Sequence, residues 1–270
     1  FLPIAMVALI TACGGGGGGG GSGGDTGDDN NDSTGETDNL SGRALKGVIS
    51  NADVVASVRD GSGWTQLDTG TTDTDGNFSL AVGNPDAPVR ITVSTVSGSQ
   101  MVRDAPSGCS GTAYGNTFAP SSGFSLSTIV PSSRITDNTE LAVTPLTNLA
   151  SAWTQEMPRG VSAAGIKLAH KRVASLFGLS SDYAYSLPVD ITENGEVDSA
   201  GDNALQHSIF AAAFAELAAN ESLEPLAVTT EAATVFGMLG GQALNLSGEI
   251  TRAELEQVIT DLGGDPSVVL

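Results

Sequence analysis

Apolar residues are spaced along this chain in three different ways. Residues 1–10 are an apolar run (Phe1-Leu2-Pro3-Ile4-Ala5-Met6-Val7-Ala8-Leu9-Ile10), and residues 14–39 then contain no apolar side chain. From Arg43 to Val130 apolar positions come in short runs that partly alternate with polar ones, as in Val89-Arg90-Ile91-Thr92-Val93. Alternation of this kind marks half-buried strands. The runs are 43–50, 54–59, 64–68, 78–82, 89–95, 100–103 and 124–130. Asp60-Gly61-Ser62-Gly63 and Asp75-Gly76-Asn77 are turn signals between them. Short strands at this spacing predict an antiparallel sandwich over residues 40–135.

From Leu141 the period becomes about 3.6, the repeat of an amphipathic helix. Thr144 is placed to cap a helix with Pro145 at its first position, and Leu146, Leu149, Ala150 and Trp153 line one face. Pro158-Arg159-Gly160 stops it. Ser162 caps a second helix, with Val161 and Ile166 able to staple its start. Ile166, Ala169, Val173, Leu176 and Phe177 form its stripe, Lys167 and Lys171 its outer face, and Gly178 its C′ residue. Residues 203–219 are apolar almost all round and read as a buried central helix. Two more helices are expected near 231–239 and 251–262, the last with a Thr251/Glu254 capping box. Residues 141–270 therefore predict an all-α helical bundle. Leu270 carries no end signal, which leaves a continuation of the chain open.

The N-terminal apolar run is shorter than the roughly 20 residues that span a bilayer, and small residues follow it. This is the pattern of a secretory signal peptide, here residues 1–12, lacking its basic start. Ile10-Thr11-Ala12-Cys13 resembles the lipobox of bacterial lipoproteins. In that family the Cys receives a diacylglycerol, the signal is cut just before it, and the new amino terminus is acylated. The resemblance implies lipidation at Cys13 and a membrane partner held through the acyl chains. Gly14 stands where an Asp would retain such a lipoprotein at the inner membrane, so the implied address is the outer membrane of a bacterial envelope. Residues 13–39 form a Gly/Asp-rich linker that cannot build a core. As a flexible coil it reaches roughly 30 Å.

Within the β region, Lys46-Gly47-Val48-Ile49-Ser50-Asn51-Ala52-Asp53-Val54 and Thr72-Asp73-Thr74-Asp75-Gly76-Asn77-Phe78-Ser79-Leu80 resemble the carboxypeptidase regulatory-like domain. The likeness covers residues 43–97. It implies a transthyretin-like (prealbumin-like), seven-stranded antiparallel β-sandwich that scaffolds or binds, with no catalytic residues to carry over. Val143-Thr144-Pro145-Leu146-Thr147-Asn148-Leu149-Ala150 resembles a segment that follows such modules in bacterial envelope lipoproteins, and it implies no activity.

Charge narrows the partners. The chain has 31 acidic and 11 basic residues, a net −20. Residues 40–172 are neutral, whereas 173–270 hold fifteen acids and one base, Arg252. Such a field repels nucleic acid and anionic lipid. With Cys13 given to the anchor, Cys109 has no partner and is expected to be an idle thiol in a Gly/Ser-rich loop.

Catalytic signals are absent from the sequence. His170 and His207 fall inside helices and read as packed or surface helix residues, and there is no Gly-x-Ser-x-Gly, His-Glu-x-x-His or Cys-x-x-Cys motif. Two acidic loops bear on calcium. Asp73-Thr74-Asp75-Gly76 is fully explained by a turn. Asp190, Thr192, Asn194, Glu196 and Asp198 follow EF-hand spacing, with Gly195 at the sharp turn, but Gly201 stands where the bidentate carboxylate belongs. The expectation is an acidic surface loop with calcium as its minor alternative and no other cofactor. The sequence thus predicts a non-catalytic binding, adhesion or assembly module for a protein or glycan partner. The alternative is an accessory part of an envelope hydrolase acting on glycan or peptide.

Overall fold

The seven β-like runs carry eight strands, two of them in the run 43–50, and two further strands arise where no alternation shows. The computed structural model describes residues 39–220 except 109, 110, 122, 158 and 159, and beyond them 228–230, 232–234, 257, 260, 265 and 267. Cys13 with its linker, Cys109, and most of the two helices expected at 231–239 and 251–262 lie outside the described residues. Residues 228–230 and 232–234 are helical, as are Gln257 and Thr260.

The strands are β1 (Asn39–Ala44), β2 (Ile49–Ser50), β3 (Asp53–Asp60), β4 (Gly63–Thr71), β5 (Asn77–Ala81), β6 (Val89–Ser94), β7 (Gln100–Val102), β8 (Thr117–Phe118), β9 (Ser125–Val130) and β10 (Thr139–Val143). They form sheets ordered β10-β1-β5, β2-β7-β8 and β4-β3-β6-β9. Pairing is antiparallel except for β1 with β10, which run parallel from Leu40↔Thr139 to Ala44↔Val143. One apolar cluster draws on both larger sheets: Leu40, Phe78, Leu80, Leu141 and Val143 from the first, and Val54, Ile91, Val93, Leu126 and Val130 from the second. Among the described residues the sheets do not close into a barrel.

Strand β10 departs from the expected helical texture after Leu141. Leu141, Ala142 and Val143 are all fully buried, so no polar residue interrupts them to show a period of two. The helix starts after them, where its cap predicts. Helix α1 (Pro145–Glu156) follows Thr144, whose hydroxyl accepts from the Thr147 N–H at 3.3 Å while Thr147 Oγ1 accepts from the Thr144 N–H at 2.9 Å. This reciprocal pair satisfies two donors that a helix start leaves open. Helix α2 (Ala163–Leu176) is capped by Ser162. It ends at Gly178 with φ +62°, where the Leu179 N–H reaches the Ala174 carbonyl at 2.8 Å. Helix α3 (Asn194–Ser199) is short, and α4 (Asp202–Asn220) is the long apolar helix.

The helices are seated on the four-stranded sheet through β9. Asn148 accepts from the N–H and hydroxyl of Ser127, and Ser151 and Thr147 donate to the Ser127 carbonyl. A second apolar cluster, including Leu146, Leu149, Trp153, Val173, Phe177, Tyr183 and Phe214, lies between α1, α2 and α4. Residues Glu36–Leu270 make one compact unit. Among the described residues no helix is long and apolar enough to cross a membrane.

Candidate binding cleft

Behind β9, two buried imidazoles anchor the helical layer. His170 Nε2 lies 3.1 Å from the Ile129 carbonyl, which can only accept, so that nitrogen carries the proton. Its Nδ1 is then an acceptor and takes a hydrogen bond from the Tyr183 hydroxyl at 3.1 Å, with the Leu146 carbonyl a second acceptor at 3.4 Å. Burial pushes His170 down to about 4. His207 is fully buried, and its Nε2 meets the capping hydroxyl of Thr144 at 2.8 Å. The same hydroxyl accepts from the Thr147 N–H, so one side chain links the ring to the start of α1. Burial, with His170 nearby, takes His207 to about 3 against the pull of the Tyr183 backbone. The Tyr183 ring meets the His207 ring edge-on at 5.1 Å. Both imidazoles are neutral at physiological pH and spent on packing.

His170 also forms part of the floor of an open cleft of about 510 Å³. The cleft lies between the 3₁₀ turn Ser132–Arg134, helix α2 and the 3₁₀ turn Tyr183–Tyr185. Its apolar wall is Pro131, Ala163 and Ile166, and its rim carries Arg134, Lys167, Lys171 and Asp182. Lys167 and Lys171 sit one turn apart on the exposed face of α2, as their spacing predicts. Arg134 pairs with Asp182 at 3.2 Å and lies 4.0 Å from the centre of the Tyr185 ring. Burial pushes the Tyr185 hydroxyl up to about 12, with Asp182 adding to the rise and Arg134 opposing it. A second, shallower and more open chamber of about 380 Å³ adjoins the cleft and shares Arg134 and Tyr185. It is lined by Ser133, Thr136, Asn138, Thr139 and Glu140.

The acidic loop is organised differently from a calcium site. Asn194, Glu196 and Asp198 fall in α3, and Asp198 is exposed. Asp190 is buried, and its Oδ1 accepts from the N–H and hydroxyl of Thr192 at 2.9 and 2.7 Å. Glu196 is gripped by Arg43 through both guanidinium nitrogens and accepts from the Asp190 N–H at 2.8 Å. The Arg43 hydrogen bonds hold the Glu196 carboxyl below its usual range, against a smaller rise from burial. Arg43 also donates to the carbonyls of Pro188 and Asp75, so one cation ties β1 to both acidic loops. The 73–76 segment is the expected turn. Asp73 accepts from the Asp75 and Asn77 N–H groups, and Gly76 takes φ +79°, where a Cβ would stand 2.7 Å from the Ala44 carbonyl. Among the described residues no three His, Cys, Asp or Glu side chains gather as a metal site.

Sequence reasoning did not find the cleft. Its lining comes from three separated stretches, and the Arg134–Tyr185 stack joins residues far apart in the chain. Only the Lys167/Lys171 spacing carried a local signal.

No family model and no curated protein matches this sequence. Among solved structures, a 9R-lipoxygenase from Cyanothece PCC8801 is similar at 20% identity over 27% of this chain and 13% of its own, with a TM-score of 0.20. A likeness of that size carries no argument about fold or chemistry.

Proposed function

We propose that this is a lipid-anchored protein of the bacterial outer envelope that works as a non-catalytic binding module. Cys13 is the lipidation site in this reading, and residues 14–39 hold the folded part off the membrane. The β region is a transthyretin-like sandwich. The two larger sheets, facing one apolar cluster, support a sandwich, with β10 joining it from beyond residue 135 and pairing in parallel with β1 where the resemblance implies an all-antiparallel arrangement. The α1, α2 and α4 helices supply the second layer of the module.

The observation that carries binding is the two-chambered cleft beside α2. It is the kind of concave, partly apolar site with a few converging polar groups that takes ligands. Its one imidazole has both nitrogens engaged, which favours holding a ligand over moving a proton. Co-sedimentation with isolated envelope material tests the reading. The wild-type protein is expected to sediment, and Ala163→Trp, which fills the cleft wall, to stay in solution. Equal sedimentation of the two, or release of glycan or peptide fragments, would count against it. Mass spectrometry of the mature N-terminus is expected to find acylated Cys13.

A further inference from the structure

We infer that the cleft takes an acidic oligosaccharide, with the anionic group of one sugar held by Lys167 and Lys171 and the neighbouring sugar's hydroxyls held in the chamber beyond Arg134. The inference rests on the binding-module reading and names its ligand.

Charge distribution is the first argument. Three of the eleven basic residues line one cleft in a chain of net −20. Asp182 is the single acid in that chamber, and it already pairs with Arg134. Helix α2 contains no acidic residue, so neither lysine has a partner along its own helix. Among the described residues no ion pair involves either of them. Two like charges one turn apart on a helix repel each other, and an anion between them would turn that repulsion into attraction.

Chamber chemistry is the second argument. The far chamber offers the Ser133 hydroxyl, the Asn138 amide and the Glu140 carboxylate, while the Thr136 and Thr139 hydroxyls bond to each other beneath them. These are partners for sugar hydroxyls, and the Tyr185 ring beside them offers a face on which a sugar can stack. Asn138 holds φ +63°, in the left-handed region that Asn tolerates, with its side chain exposed at the chamber rim. The Arg134–Tyr185 stack borders both chambers. A chain of sugars can therefore pass along it with an anion on one side and hydroxyls on the other. A compact anion would use only the first chamber.

The probes are a galacturonate trimer, its methyl ester and inorganic phosphate, measured by calorimetry at two salt concentrations. The trimer is expected to bind, with affinity falling as salt rises. Esterification, or Lys167→Gln with Lys171→Gln, is expected to weaken it at least tenfold. Asn138→Ala is expected to weaken the trimer while leaving phosphate unaffected. No saturable binding of the trimer, equal affinity for acid and ester, or phosphate binding as tightly as the trimer would each overturn the inference. A protein that still sediments with envelope material while ignoring the trimer would leave the binding-module reading standing and remove only the acidic glycan.

Discussion

Arg43 and Lys46 leave the same end of β1 three residues apart, and the fold treats their charges in opposite ways. Lys46 and Asp104 are sealed inside, with side chains 1% and 3% exposed and 3.4 Å between Nζ and Oδ1. Asp104 Oδ2 has no hydrogen-bond partner, and burial raises its carboxyl although Lys46 opposes the rise. Close by, Arg103 is buried against the Phe118 ring with Nε and Nη1 unpartnered. Arg43 instead meets a Glu196 side chain that is 37% exposed, makes two hydrogen bonds to it, and makes two more to backbone carbonyls. The sealed pair carries the desolvation cost of two buried charges, whereas the open pair keeps part of its hydration. Sealed charges of this kind weigh on stability, and the half-open clamp joins segments cheaply.

The largest expected effect comes from the sealed imidazoles. Unfolded, His170 and His207 protonate near 6.5; folded, only near 4 and 3. The unfolded state therefore takes up protons first as pH falls. Stability is full above about 6.5 and declines below it, by about 2 kcal/mol per histidine at pH 5 and about 3 at pH 4. Asp104, raised by burial, works in the opposite sense and offsets part of the loss at the acid end. Urea unfolding at pH 7, 6, 5 and 4 measures this. Equal stability at pH 7 and pH 5 would show that the two rings are more open to water than their contacts indicate.

Next in size is the sealed ion pair. Asp104→Ala leaves Lys46 buried without its carboxylate and is expected to cost about 3–5 kcal/mol. Lys46→Met with Asp104→Leu should stay within about 1 kcal/mol of wild type, or exceed it. The two denaturation curves together decide the matter. A double variant as damaged as the single one would mean that the pair contributes real stability, and the contrast with Arg43 would collapse.

The open clamp predicts a smaller loss. Glu196→Gln keeps shape and removes charge, and because Glu196 is more than a third exposed the expected cost is about 1 kcal/mol. Its depressed carboxyl contributes stability above the unfolded value near 4.5 and loses it as pH falls through the folded value. Wild type and Glu196→Gln should therefore converge in melting temperature on acidification. A gap that persists at low pH would assign the effect to packing. Smallest of all is calcium. At constant ionic strength, millimolar CaCl₂ is expected to move the melting temperature by less than about 1 °C, because Glu196 is engaged by Arg43. A saturable rise that Asp190→Ala abolishes would mean that the loop trades its arginine for a metal.

Local signals explain which parts were legible in the sequence. Thr144-Pro145, Ser162 and Gly178 mark helix ends through their own backbone chemistry, and the structure uses all three. Alternation revealed β6, whose burial follows a strict in-and-out pattern. Strand β10 was hidden because its last three residues are all buried, and β8 because two residues are too short to show a period. Helix α3 was read as loop: Asn194-Gly195 and two acids disguise a turn that Arg43 holds from 153 residues away. The cleft was illegible for the same reason. Its cations are local, but the tyrosine and the second chamber arrive by tertiary packing.

The parallel pairing of β1 with β10 also decides how the molecule bears load. Asn39–Arg43 pair with β5 on one side and Leu40–Ala44 with β10 on the other, so the first described strand is the middle one of its sheet. A pull on the chain ahead of Asn39, directed along the strand, strains both rows of hydrogen bonds together. They resist as a sheared joint, with no free edge from which the strand can be peeled one bond at a time. The same pull directed across the sheet would meet far less resistance. Force applied ahead of Asn39 and along the strand therefore lands on the mechanically best-defended strand of its sheet.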